Sequence, residues 1–462
     1  MKRICPALVA IGFVSLFWAD DGHAIPAFAR KYQTSCQTCH IAIPKRNAFG
    51  EAFRRNGYVM PKGDVQLVKE EPVSLGAEAW KELWPNAIWP GLLPAHFPLA
   101  ALVHQRVTYE PRNPKGQRVG FDMPHELELL FGTSFGTELG VFGSWVIYDE
   151  GENETALEKF FFQFNDVVGP KDAVNVKVGL LEPGITSGYM EANSLTLDRP
   201  ITIDYRATGD WSPADVQAGI ELNGILGSRF EYAAGVVNGE GKTTPSKDRK
   251  DVFARVAFKT GGLGLDGKGA EAELKQADNW RDDAVTIGVY AYTGHVAKSE
   301  ATTSQVIETT GSGGDPTKFN IASTRTTTEW DHNFDRFGFD LRAGYNRFEL
   351  TGGLIAGTDE NPFGDKKELK HTAFFGEIDW LAYPWLIPIF RVNRARSELK
   401  DDERDKYWEF HPNLTILYRA NIRMTIEGRF RVDNDRTIGG VTVEPTEKRA
   451  FRLLRVNTML VF

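Results

Sequence analysis

The chain has 462 residues but only three cysteines, and none follows Cys39. A disulfide-rich fold is therefore excluded for everything beyond that residue. Basic charge is not in excess, since the net charge is −8 at pH 7, and no basic patch typical of nucleic-acid binding is present. Long hydrophobic runs are also missing after the N-terminus. The best of them, Trp84–Val103, is interrupted by prolines, so no transmembrane α-helix is predicted there.

The first 24 residues are typical of a secretory signal peptide. Lys2 and Arg3 supply the positive start, Ala7–Trp18 the apolar stretch, and Gly22-His23-Ala24 the small residues of a cleavage site. The alternative is a retained membrane anchor, but the apolar stretch is shorter than the roughly 20 residues of a spanning helix. We predict cleavage after Ala24, which leaves a mature chain with two cysteines.

Those two cysteines belong to the sequence Cys36-Gln37-Thr38-Cys39-His40. In an exported protein a cysteine pair ordinarily forms a disulfide, and a C-x-x-C is also found in thioredoxin-like redox pairs. No βαβ pattern surrounds it, however, and a histidine directly after the second cysteine is the signature of c-type haem attachment. Two thiols at this spacing bond covalently to the porphyrin, and the adjacent imidazole binds the iron. The sequence predicts one covalent haem c, held by Cys36, Cys39 and His40.

The segment around this motif is small, because Pro61-Lys62-Gly63 breaks the chain soon after it. We assign residues 25–66 to a small helical haem domain and residues 67–462 to a second domain. About 40 residues rarely form a stable domain alone, so the second domain is expected to supply a wall for the haem. Met60 is a candidate sixth haem ligand, since it is the only methionine of the segment. His104, His125 and water remain alternatives.

Residues 67–462 show a period of two. Apolar residues alternate with polar ones in 215–223, 251–259, 284–292, 421–431 and 452–462. We count about 16 such segments, each of the length of a transmembrane β-strand. The segment Lys298–Thr328, rich in Ser, Thr and Gly, is predicted to be one long external loop.

Soluble β-sandwiches and propellers alternate in the same way, so composition is needed to separate them from a membrane barrel. The chain has 45 Gly, 30 Phe and 11 Trp, yet its mean hydropathy is only −0.33. Aromatic clusters such as Phe160–Phe162 and Trp380–Trp385 are typical of interfacial girdles. The terminal Phe462 resembles the recognition signal of bacterial outer-membrane barrels. The fold class predicted is mainly β, a transmembrane barrel of about 16 antiparallel strands with the haem domain in or at its lumen.

A known family matches the N-terminal motif. Ile25-Pro26-Ala27-Phe28-Ala29-Arg30, the C-x-x-C-H, Phe49-Gly50 and Asn56-Gly57-Tyr58 resemble the fused monohaem cytochrome–porins of Gram-negative bacteria. The best-known members are outer-membrane iron(II) oxidases. The match covers residues 25–60, and beyond them the resemblance is one of architecture.

The resemblance implies an outer-membrane protein, surrounded by lipid and inserted by the barrel assembly machinery. It implies electron transfer from extracellular Fe(II), or another donor, through the haem to a periplasmic carrier such as a c-type cytochrome. The alternatives are a solute porin plugged or gated by its haem domain, and a conduit for a donor or acceptor other than iron. Nucleic acid is not an expected partner.

Two further features point weakly to metal cations. Acidic runs such as Asp149-Glu150-Gly151-Glu152 are expected mainly to be solvated loops, although they would also steer cations to a barrel mouth. His332, beside Asp331 and Asp335, is a weak metal-binding candidate.

Overall fold

In the computed structural model, the described residues are 26–61, 64–69, 73–74, 82, 92–93, 98–113, 116–150, 155–186, 193–239, 249–270, 281–309, 319–400 and 402–462. The predicted signal peptide, and with it the alternative of a membrane anchor, lies outside them. No helix among the described residues is long and apolar enough to cross a bilayer.

The N-terminal part consists of short elements. They are helices α1 (Ala27–Tyr32), α2 (Ala48–Arg55) and α3 (Asp64–Leu67), a 3₁₀ turn at Cys36–Thr38, and strands β1 (His40–Ala42), β2 (Lys45–Arg46), β3 (Val73–Ser74) and β4 (Leu92–Leu93). β1 pairs with β2 and β3 with β4, both antiparallel.

Sixteen antiparallel strands then form a closed barrel, in which the last strand pairs with the first. Their bounds are β5 Leu99–Tyr109, β6 Val119–Phe135, β7 Leu139–Asp149, β8 Ala156–Phe164, β9 Asn175–Leu181, β10 Gln217–Leu226, β11 Phe230–Val237, β12 Asp251–Gly261, β13 Ala284–Thr309, β14 Phe319–Tyr345, β15 Phe348–Glu360, β16 Glu368–Trp380, β17 Leu386–Leu399, β18 Asp402–Arg419, β19 Ile422–Asp433 and β22 Arg449–Val461. The predicted barrel of antiparallel strands is confirmed.

The barrel has two different ends. Leu99 and Phe462 lie at one end, with the turns 136–138, 346–347 and 420–421. We call it the turn end. The opposite end, the loop end, carries the long connection 182–216, with helix α4 (Ile201–Asp204), and the hairpin β20–β21 (Arg436–Ile438 and Val441–Val443).

Side chains alternate between the two faces of the barrel wall, as a period of two requires. On β12, Phe253 and Arg255 are buried towards the lumen, whereas Val256 and Phe258 lie on the outer face and are 42% and 55% exposed. An exposed apolar outer face with a buried polar inner one is the pattern of a barrel whose outside meets lipid.

Residues 26–61 lie inside the barrel, in the half nearer the turn end, and we call them the plug. Lys31 Nζ donates to Ser134 Oγ of β6 at 2.5 Å, and Arg55 Nε pairs with Glu231 of β11 at 2.7 Å. Gly140 of β7 is needed for this fit, because a Cβ there would lie 2.1 Å from the carbonyl oxygen of Gly57. The plug is therefore packed directly against the barrel wall.

The prediction of one long external loop at Lys298–Thr328 is wrong. β13 and β14 pair continuously from Ala284↔Gly344 to Thr309↔Phe319, and only 310–318 separate them. Threonine, abundant here, favours extended backbone, and two neighbouring strands satisfy each other's backbone groups. The hairpin continues beyond its neighbours, since β12 pairs with β13 only as far as Thr293.

We expect deletion of Phe462 to slow barrel assembly. The backbone N–H of Phe462 donates to the Ala101 carbonyl at 2.9 Å, and its own carbonyl accepts from Ala101 N–H at 2.6 Å. Two hydrogen bonds of about 1 kcal/mol each would leave the junction of first and last strands. The heat-modifiable folded band in outer-membrane fractions measures assembly. Phe462→Tyr, which keeps ring and backbone, is the control, and undiminished folding of the deletion would contradict the expectation.

Candidate functional site

The C-x-x-C-H loop is held in shape by the start of helix α2. Asn47 caps this helix, because its Oδ1 accepts from Gly50 N–H at 2.8 Å, while its Nδ2 donates to the Thr38 carbonyl at 3.0 Å. Its backbone N–H also donates to the Cys39 carbonyl at 3.0 Å. Gly50 must be glycine here, since a Cβ would lie 2.0 Å from the Cys39 oxygen. Asn before a helical stretch is an N-cap signal, so the role of Asn47 was readable from the sequence.

Cys36, Cys39 and His40 all line one cavity of ≈ 600 Å³ between the plug and the barrel wall. Ligand and cofactor pockets usually measure about 300–1,000 Å³, so the volume fits a cofactor. The plug contributes Phe28, Tyr32, Phe53, Tyr58 and Met60 to the lining, and the wall contributes Leu102, His104, Phe142, Phe161 and Met459. Phe53 and Tyr58 therefore border the same cavity as the C-x-x-C-H motif.

His40 has the arrangement of a metal-binding imidazole. Its Nδ1 is 3.0 Å from the Pro44 carbonyl oxygen, to which it donates as the N–H tautomer, and this leaves the Nε2 lone pair unused by that bond. Burial, and then the positive charge of Arg46, lower the pKa of His40 to about 4. The imidazole is therefore neutral at physiological pH, which is the form that binds iron.

The two cysteines are unpaired, so the disulfide alternative is not observed in this structure. Burial raises the pKa of the Cys39 thiol to about 12 and also raises the pKa of Cys36. Redox-active C-x-x-C pairs have the opposite property, a lowered pKa that stabilises the thiolate. The thioredoxin-like alternative is thus not supported.

The candidate sixth ligands are placed differently. Met60, which is 2% exposed, and His104 both line the cavity. Met459 lines it as well, opposite His104 in the β22–β5 register, and sequence reasoning missed it because its strand lies far along the chain. His125 is not among the described residues of the lining.

Buried charges anchor the plug. Lys45 is 2% exposed, and its Nζ lies 2.5 Å from Asp379 of β16 and 2.8 Å from Glu349 of β15. Burial alone would lower the pKa of Lys45, but these carboxylates outweigh it and raise the pKa. The lysine therefore stays charged and ties the hairpin that follows His40 to the wall.

Glu51 of α2 is the centre of a second charged group. It pairs with Arg46 at 2.6 Å, Arg54 at 3.1 Å and Arg55 at 3.6 Å. Burial would raise the pKa of Glu51, yet the three guanidinium groups hold it well below its usual range. Arg54 also lines the cavity, so positive charge lies beside it.

Part of the long connection 182–216 folds into the lumen on the loop-end side of the cavity. Asp198 lines the cavity and is ion-paired with Arg455 of β22. Tyr205 donates to Asp405 at 2.7 Å. Trp211 packs against Tyr292, with ring centroids 4.4 Å apart. The connection thus forms part of the cavity wall on the loop-end side.

His332, the weak metal-binding candidate, does not bind through its sequence neighbours. Its Nε2 lies 2.8 Å from Asp359 and its Nδ1 3.1 Å from Asp210, and the side chain is fully buried. The predicted partnership with Asp331 and Asp335 is therefore wrong. Its position on a long lumen-facing strand brings residues distant in sequence to it instead, and it fastens the connection 182–216 to the wall.

Comparisons with known proteins show similarity in fold. No protein-family model matches the chain, and no curated protein matches it. OmpT, an outer membrane protein of Vibrio cholerae in its trimer form, is similar over 79% of this chain and 98% of its own, with a TM-score of 0.50 and 8% identity. An anion-selective porin from Comamonas acidovorans is similar over the same shares, with a TM-score of 0.51 and 11% identity. The barrel therefore has the fold of outer-membrane porins.

Proposed function

We propose that this protein is an outer-membrane cytochrome of porin architecture. It takes electrons from an extracellular donor, which we propose to be Fe(II), and passes them to a periplasmic carrier. The observation that carries the proposal is the position of Cys36, Cys39 and His40 on one cofactor-sized cavity inside the barrel. A motif exposed on a surface loop, or one closed by a disulfide, would not have supported it.

Each residue of the motif has a distinct task in this proposal. The two thiols of Cys36 and Cys39 form the thioether bonds, and His40 Nε2 binds the iron while Nδ1 stays fixed on Pro44. Haem, when bound, supplies reversible one-electron chemistry. The aromatic side chains Phe53 and Tyr58 of the plug and Phe142 of the wall exclude water from the cavity. No acid–base residue is needed, because no proton has to move.

The barrel provides the route across the membrane. Outer-membrane barrels have short turns on the periplasmic side and longer loops outside, so the turn end of this barrel faces the periplasm in our proposal. The plug lies in the half nearer that end, within reach of a soluble carrier. The hydrocarbon core is about 30 Å thick and insulating, and a cofactor inside the lumen shortens the distance an electron must cross.

Acidic and basic side chains both line the cavity. Glu126 and Glu128 of β6 and Asp149 of β7 line the cavity on its wall. Their positions follow from the alternation of the strands. Acidic side chains raise the local concentration of cations by steering, and Arg106 and Arg423 of the same lining oppose this effect.

A second function, a solute porin whose haem-bearing plug blocks or gates the lumen, is supported by the porin fold itself. It shares the haem site but not the electron transfer. The plug occupies the lumen through contacts with β6, β11, β15 and β16, so a solute path requires the plug to move.

Rapid mixing of the oxidised, detergent-solubilised protein with ferrous iron under anaerobic conditions separates the two functions. We expect the α-band of reduced haem to appear promptly, because the cavity is reached through the lumen. Mixing with an equal concentration of Zn²⁺, which donates no electron, is the control. Absence of reduction, together with ion conductance in planar bilayers, would favour the gated porin over the proposed electron transfer.

A further inference from the structure

A second group of ligand-type side chains lies at the loop-end mouth of the cavity. Asp122 and His125 of β6, and Glu150 directly after β7, each place one nitrogen or oxygen within 4.8 Å of the others. We call these three residues the lip cluster. Arg106, the register partner of Asp122, and Asp149, the neighbour of Glu150, both line the cavity, so the lip cluster borders it directly.

Irregularities in the backbone pairing determine the direction of these side chains. The register of β6 shifts against β5 between His104 and Arg106, and against β7 between Leu127 and Glu128. Such bulges redirect side chains and are frequent beside functional sites. The N–H of Glu150 donates to the His125 carbonyl at 3.1 Å, which joins the two strands at this point. Two of the three ligand residues therefore lie on a barrel strand, and the backbone of the third is hydrogen-bonded to that strand.

The charges of the lip cluster are not balanced within it. A carboxylate oxygen of Glu150 lies within 4.8 Å of a carboxylate oxygen of Asp122. Within the described part of the chain, no lysine or arginine forms an ion pair with either carboxyl. His125 Nδ1 is shielded from solvent, has no hydrogen-bond partner among the described residues, and lies 3.9 Å from Glu150 Oε2. Arg106 acts on both carboxyls through its positive charge but forms no direct ion pair with them, so the two neighbouring carboxyls and the unused imidazole nitrogen have no cation in contact with them.

A second cluster with the same three residue types is, by contrast, paired with arginines. Asp198, His411 and Glu427 also bring their ligand atoms within 4.8 Å. There, however, Arg455 pairs with both carboxylates, and Arg429 lies 3.4 Å from Asp198. The guanidinium groups already neutralise that cluster and would repel a cation, so it is an ion-pair network.

We propose that the lip cluster binds one divalent transition-metal cation, and that Fe²⁺ bound there is the docked electron donor. A mixed set of imidazole and carboxylates suits Fe²⁺, Mn²⁺ and Zn²⁺ better than Mg²⁺ or Ca²⁺, which prefer oxygen alone. The donor role rests on the proposed function, whereas cation binding does not. In that role the bound Fe²⁺ would give up one electron and become Fe³⁺, and the electron would pass to the haem that Cys36, Cys39 and His40 would hold.

The test is a titration of the full-length, detergent-solubilised protein with Mn²⁺, followed by electron paramagnetic resonance of the free ion. We expect one saturable site. Asp122→Asn combined with Glu150→Gln should weaken binding at least about tenfold, and His125→Gln alone should also weaken it about tenfold. The heat-modifiable band shows that each variant is folded, and the single histidine variant serves if the double variant is not.

The matched control removes two negative charges at the same end of the barrel. Asp435 and Glu444 of the β20–β21 hairpin region both pair with Lys448, at 3.1 Å and 3.5 Å. Asp435→Asn with Glu444→Gln should change Mn²⁺ affinity less than about twofold, because exposed charges are screened. Equal losses in control and lip-cluster variants, or no saturable binding by the unmodified protein, would overturn the site.

Haem staining of the same samples separates this site from the proposed function. If the protein binds Mn²⁺ but carries no covalent haem, the cation site is supported and its role as an electron-donor site is refuted. If the protein carries haem but binds no Mn²⁺, the lip cluster is refuted as a cation site and the proposed electron transfer is unaffected.

Discussion

Replacing Cys36 and Cys39 together by alanine should abolish covalently bound haem, measured as loss of haem staining after denaturing electrophoresis. The two thiols line the same cavity as His40, and no disulfide joins them. Either single alanine variant leaves one thiol and should retain part of the stain, since one thioether bond still resists denaturation. In the double variant the expected loss of haem staining is complete.

The matching control is serine at the exposed position between the cysteines, Gln37→Ser, which keeps both thiols. Its staining should equal that of the unmodified protein. Barrel folding, followed by the heat-modifiable band, should persist in the double alanine variant, because the sixteen-stranded ladder does not involve the cysteines. Full staining of the double variant would refute covalent attachment at this motif and, with it, the proposed cytochrome.

Lys45→Met should loosen the plug from the barrel without unfolding the barrel. The substitution leaves Glu349 and Asp379 buried without the cation that now lies 2.8 Å and 2.5 Å from them. Breaking a buried ion pair by removing one partner costs about 3–5 kcal/mol. If half of the lower figure of that range is lost from the free energy of local opening of the plug, tryptic cleavage in α2 at Arg54 or Arg55 should become at least about tenfold faster.

Lys171→Met is the control for this experiment. Lys171 also contacts the plug, but through a single hydrogen bond to the Pro61 carbonyl at 3.3 Å, in a part-buried position. Its loss should alter cleavage in α2 by less than about threefold, in keeping with one weak hydrogen bond. Bilayer conductance gives an independent measurement, since a displaced plug opens the lumen. Unchanged protection and conductance in Lys45→Met would mean that the plug does not depend on the Lys45 ion pairs.

Local regularity explains what the sequence was able to predict. His104 and Arg106 lie two positions apart on β5, and Arg455 and Asn457 lie two positions apart on β22. Both pairs lie towards the lumen, because a period of two fixes the face once the strand exists. Motif spacing likewise brought Cys36, Cys39 and His40 to one cavity, since a single 3₁₀ turn joins them.

Contacts between distant residues explain the rest. Lys45 meets Asp379, which is 334 positions later, and no local pattern marks such a pair. The connection after β9 gave no sign that it turns inward, because Asp198, Tyr205 and Trp211 take their partners from strands far along the chain. The β13–β14 hairpin was mistaken for a loop because its polar composition hid its pairing.

The junction between the first and last strands forms part of the cavity wall. Leu102 and His104 of β5 face the cavity beside Met459 and Val461 of β22, and these strands meet only when the C-terminus has arrived. A chain still waiting for its last thirteen-residue strand has a pocket open along one side. Closure of the barrel and enclosure of the pocket are therefore one event in biogenesis. A prematurely terminated product would leave its C-x-x-C-H loop uncovered on that side.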